Sequence, residues 1–225
     1  MARSSRTCTW KPRKRPWPRP KPLRRPVERP SLAAIHLGKG TPMALILLGL
    51  ILWTWPHLMK EYTPGLRGGL GESTAKPIVA VAALLAIVLM VLGYRSADYI
   101  HIYTPPAWGQ HLNNLLMLFS VALFGGAHSK GRIKQVVRHP MFAGTILWAV
   151  AHLLVRGDAA SVLLWGGMIV WAVAGWVVTN RRQPGYVRPT GGTLKGDLIL
   201  AAITIVVYIV IVLIHSLVGP NPLPM

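Results

Sequence analysis

The sequence predicts an all-α, polytopic transmembrane helix bundle of about six crossings, on two observations. Apolar runs recur at or near the roughly twenty residues that a helix needs to cross a bilayer. The chain is also 52% hydrophobic and only 14% charged, with a mean hydropathy of +0.42, a composition that suits lipid better than water.

Taken in order, residues 1–42 come before any such run. They contain "WKPRKRPWPRPKPLRRPVERP", a basic, proline-rich stretch without apolar periodicity, expected to be disordered or polyproline-like. The expected crossings are Met43–Met59, Pro77–Tyr94, Leu112–Ala127, Met141–Val155, Ala159–Thr179 and Leu198–Val218, followed by a short tail at 219–225. The third and fourth runs are short, so each is expected to borrow a turn from its flanks. Pro140, which lacks an amide hydrogen, suits the first turn of the fourth crossing and places Arg138 and His139 at its entrance. Cys8 is the lone cysteine, which excludes an internal disulfide and a Cys-x-x-Cys-His haem attachment.

Charge orders the turns. Those after crossings one, three and five hold eleven Lys and Arg, while those after two and four hold only Arg95 and Arg156. By the positive-inside rule the cation-rich turns are cytoplasmic and both termini lie outside. Twelve of the 25 Lys and Arg precede Met43, so an outward N-terminus would require that basic leader to cross the membrane. The conflict vanishes if the chain begins at Met43, where "MALILLGLILW" opens directly into the first crossing. Residues 1–42 are therefore expected to be an over-extended start.

Ionisable groups inside a membrane are costly and point to function. Of the eight histidines, His36 falls in the leader, while His101, His128 and His215 read as interfacial. His57, His111, His139 and His152 remain. His139 and His152 are thirteen residues apart, about 20 Å of helical rise and roughly 220° of rotation, so they cannot ligate one iron together. Around His152, Trp148, Ala149, Thr145 and Gly144 share a helical face, with Arg156 one turn beyond. Small residues there either leave room for a flat ligand or serve close helix contact, with His152 hydrogen-bonded across helices. An imidazole for iron and an arginine for a propionate are what a non-covalent haem requires. Arg138 reads as a boundary anchor. His139 fits either that boundary or an anion-binding corner at the helix start.

Three blocks carry a resemblance: "PHLMKEYTPGLRGGLGE" (56–72), "YTPPAWGQHLNNLLML" (103–118) and "GRIKQVVRHPMFAGTILWAVAHLLVRGDAASVLLWGG" (131–167). From about Met43 onward the chain resembles the NnrU family of integral membrane proteins. That family is associated with denitrification and is related to zeta-carotene isomerase, a haem b membrane enzyme. The resemblance implies a haem-binding protein of the cytoplasmic membrane, with axial ligands at His57 and His152. Leu58 stands where a serine is usual after the first histidine. Ala149 stands where the isomerase has a cysteine, so isomerase chemistry is not expected. On the expected boundaries His57 lies near the cytoplasmic end and His152 near the outer end, and His111 matches the depth of His152 better.

The leading expectation is thus a haem b protein supporting nitrite and nitric oxide respiration, with a redox or denitrification partner protein and no nucleic acid. A second reading is a membrane methyltransferase, since "RHPMF" resembles the Arg-His-Pro-x-Tyr stretch of isoprenylcysteine methyltransferases. Phe142 replaces its tyrosine, and no acidic residue lies between Asp158 and Asp197 to hold S-adenosylmethionine. A third is a non-enzymatic assembly or regulatory partner whose histidines bond across helices.

Overall fold

The computed structural model describes residues 40–219 and 221–223, so the expected leader lies outside the described residues apart from its last three positions. The described residues form seven helices and no strand: α1 Thr41–Tyr62, α2 Pro64–Ser96, α3 Gly109–Gly126, α4 Ile133–Val136, α5 Pro140–Leu153, α6 Ala159–Arg182 and α7 Leu194–Val218. Every expected crossing is a helix. Four contain stretches long and apolar enough to span a membrane: Thr41–Leu58, Ser73–Ser96, Ala159–Arg182 and Leu194–Val218. The two short runs remain short, α3 at 18 residues and α5 at 14.

Local chemistry explains most boundaries. Asp158 caps α6 by accepting from the Ser161 amide at 3.0 Å, and Thr193 caps α7 by accepting from the Gly196 amide at 3.0 Å. Pro140 occupies the first turn of α5, as expected from its missing amide. Helix α2 begins well before its apolar part. At Gly71 the backbone turns to φ 70°, which an L side chain resists, and the apolar span starts just after this break.

Glycine lets α1 and α2 approach closely. A Cβ on Gly93 would meet the Pro42 carbonyl and Ile46, and one on Gly49 would meet Met90 and the Ala86 carbonyl. The start of α1 therefore packs on the end of α2. The core gathers Ile46, Leu50, Ala86, Met90, Ala149, Leu164, Trp165 and Met168 from α1, α2, α5 and α6. Helices α2 and α7 turn apolar side chains outward, as lipid permits: Val81 is 66% exposed, and Leu198 63%.

Alternating helix directions collect the turns at two ends. At the cation-rich end the Thr193 amide donates to the Lys130 carbonyl at 3.1 Å, and Arg132 pairs with Asp197 at 2.6 Å. At the cation-poor end the segment after α2 folds over the α5–α6 turn. There Ile102 and Tyr103 amides donate to the Gly157 carbonyl at 2.8 and 3.0 Å, and the Tyr103 hydroxyl donates to the Arg156 carbonyl at 2.7 Å. Burial, and secondarily the nearby Asp158, push the Tyr103 phenol above its ordinary value, so it stays a protonated donor.

Candidate functional site

The helices enclose a cavity of about 1270 Å³. That exceeds the roughly 300–1,000 Å³ of ordinary small-molecule pockets. Its waist is aromatic, formed by Trp53, Phe142, Trp148, Trp165 and Trp171. Its charged lining is Arg95, Arg138 and Arg156, joined by His57, His139, His152 and His215, and no Asp or Glu is among the described lining residues. Such a surface favours an apolar body with anionic ends.

Two histidines are presented by the same device. His57 places Nδ1 2.7 Å from the Trp53 carbonyl, and His152 places Nδ1 2.8 Å from the Trp148 carbonyl, each one turn back on its own helix. A carbonyl only accepts, so Nδ1 carries the hydrogen and donates. That fixes the tautomer and leaves each Nε2 as a lone-pair donor (the arrangement an imidazole needs to bind a metal). Each ring is held by indoles. His57 stacks on Trp53 at 4.0 Å with Trp171 edge-on at 5.5 Å; His152 lies 4.3 Å from Trp165 and 5.3 Å from Trp148.

Depth can be read along α6. Trp165 and Trp171 are six residues apart, about 9 Å of rise. His57 sits beside Trp171, midway along α6, and α1 continues past it to Tyr62, although its side chain is exposed. His111 does not join the cavity. It is exposed, whereas Gln110, Asn113 and Phe124 supply the α3 lining, and the helix rotates residue 111 away from that face. His215, read from sequence as interfacial, is a lining residue and lies within electrostatic reach of His152, as does Arg156.

The arginine and histidine at the entrance of α5 have structural partners. Arg138 Nη2 donates to the Gln183 carbonyl at 2.8 Å, and its guanidinium lies 4.2 Å from the Tyr186 ring centroid. His139 Nε2 is 2.9 Å from Asn180 Oδ1, and its ring is edge-on to Phe142 and Trp176. Both residues still line the cavity.

The small residues near His152 take one of the two uses that the sequence left open. Gly144 does not border a ligand space: it faces α3, where a Cβ would sit 3.3 Å from the Ser120 carbonyl, which is why Ser120 Oγ can donate to the Gly144 carbonyl at 2.8 Å. Ala149 is fully buried in the core. Close helix contact is their use. Thr145 alone of that small set lines the cavity.

The indole N–H groups of Trp53, Trp165 and Trp171 are buried and lack an acceptor among the described residues, although all three residues line the cavity. Buried donors without partners are uncommon and costly. Beyond the end of α7, Asn221 and Pro222 line the cavity as well. The Pro222 carbonyl accepts from Gln110 Nε2 at 3.1 Å and Asn114 Nδ2 at 2.9 Å, so "GQHLNN" at the start of α3 straps the tail across the opening.

Among the described residues no three of His, Cys, Asp and Glu gather to hold a bare metal ion. A haem makes a different demand: axial imidazole nitrogens, a wide apolar slot and cations for its propionates. Oriented Nε2 donors, an aromatic waist and an arginine-bearing, carboxylate-free lining fit that demand.

No curated protein and no solved structure matches the chain. The sequence profile of the NnrU protein family matches residues 45–222, and the chain belongs to that family.

Proposed function

We propose that this protein is a multi-pass, six-crossing protein of the cytoplasmic (inner) membrane that holds haem b non-covalently. In this reading His57 and His152 are the axial ligands, and the protein supports nitrite and nitric oxide respiration with a redox or denitrification partner protein. One observation carries the reading: both histidines line one cavity, each with Nδ1–H committed to a carbonyl and Nε2 left to bind. The backbone carbonyls hold the orientation of the two rings. Trp53 and Trp171 pack on the His57 ring, Trp148 and Trp165 pack on the His152 ring, and Arg156 supplies a counter-charge for a propionate. Bound haem would supply a one-electron iron couple. His57 and His152 would both hold the iron, which would suit electron transfer better than substrate binding. The membrane count takes α3 and α5 as crossings completed by their polar flanks, at positions where the cavity rather than lipid is the neighbour.

The methyltransferase reading loses support at the same place. S-adenosylmethionine presents an ammonium and a ribose, and the described lining offers arginines rather than carboxylates.

The test is an absorption spectrum of the protein purified from cells supplied with haem, oxidised and then reduced with dithionite. A Soret band with the sharp reduced bands of a low-spin b-type haem is expected, and its loss in His152→Ala. A colourless protein, or a His152→Ala variant with an unaltered spectrum, would overturn the reading.

A further inference from the structure

We propose that Arg95 and Arg156 form a clamp for the two carboxylates of the tetrapyrrole at the cation-poor end of the cavity. The inference rests on the haem reading and adds which way up the molecule sits.

The cation-poor turns contain two Lys or Arg residues, Arg95 after the second crossing and Arg156 after the fourth, and both border this cavity. They come from the ends of different helices, α2 and α5, more than sixty positions apart in sequence. Neither guanidinium has a hydrogen-bond or ion-pair partner among the described residues, whereas Arg132 pairs with Asp197 and Arg138 donates through Nη2 to the Gln183 carbonyl while its buried Nε stays unpaired. Asp158, the buried carboxylate nearest in sequence to Arg156, instead accepts from Ser161 through both its oxygens, at 3.0 and 2.6 Å. Arg95 is exposed and Arg156 is half-buried, so both stand at the rim of the cavity.

Two unpaired guanidiniums beside an apolar waist suit a flat apolar molecule ending in two carboxylates. Arginine's fork pairs with a carboxylate through two bonds, so the pair of arginines matches the pair of acids. An arginine that merely snorkels to the interface would show no preference for the acid form of a ligand.

The experiment uses the full chain in lipid nanodiscs, stripped of haem and titrated with haemin or haemin dimethyl ester, read at the Soret band. Wild type is expected to favour the free acid by roughly tenfold or more. Arg95→Gln and Arg156→Gln should each narrow that gap several-fold and the double variant should close it. Affinity for the diester, which reports an intact fold, should stay constant throughout. A double variant that keeps the wild-type preference overturns the clamp. So does loss of preference in Arg138→Gln instead, since the carboxylates would then lie at the opposite end. Equal binding of both compounds by wild type overturns the clamp alone, and binding of neither overturns the haem reading with it.

Discussion

The two Trp-x-x-x-His corners of this molecule are alike in chemistry and unlike in support. In α1, Trp53 stacks on His57 at 4.0 Å, and the histidine is exposed. Pro56 lies between them and removes one helical hydrogen bond at that turn. In α5, His152 is more enclosed, packed by Trp165 of α6 as well as its own Trp148. Its helix is pinned to α3 through Gly144 and Ser120. The same local device is thus mounted once beside a proline with its ring exposed and once in an enclosed turn. Precision at a ligand site comes from the elements behind it.

The largest expected effect sharpens that contrast directly. His152→Ala should abolish haem retention, while His57→Ala should retain haem with a high-spin spectrum, as one imidazole still binds. Equal losses in the two variants would remove the distinction. Next comes the packing behind α5. Gly144→Val would press on Ser120 and Leu123, and should cost about 1–3 kcal/mol in thermal unfolding followed by circular dichroism. A smaller effect is expected at the turn that ends α5: Tyr103→Phe should cost about 1 kcal/mol. Because the Tyr103 phenol is raised in the folded protein, its contribution should hold below the ordinary tyrosine value and fade as pH rises through the folded one. Least of all, Asp197→Asn should leave unfolding unchanged within error. Its pair with Arg132 is solvent-exposed, and such pairs are screened. A large loss there would mean that the cation-rich end, not the cavity wall, holds the bundle together.

Much of the architecture was legible in the sequence, because lipid forces every crossing into one kind of element and hydropathy reports it directly. The order of crossings, the start of α5 at Pro140 and the grouping of turns by charge all follow from composition. The four-residue helix α4 leaves no such mark, since its Ile-Lys-Gln-Val has no period to read. The site was half legible. His57, His139 and His152 stood out as costly groups, and all three line the cavity. Residue types could not separate space for a ligand from space for a neighbouring helix, so Gly144 and Ala149 were ambiguous. Depth counted along single helices overstated the separation of His57 from His152 and favoured His111, because helix rotation and extension past the apolar run set which side chains meet. His215 was missed for a related reason: a histidine at a helix end looks interfacial until the tail beyond it folds back.

That fold-back has a practical side. The carbonyl of Pro222, gripped by two amide side chains of α3, makes Asn221 and Pro222 part of the wall around the chamber. A bulky group placed on Asn221 or Pro222 would strain that fastening and loosen the wall where it meets the start of α3.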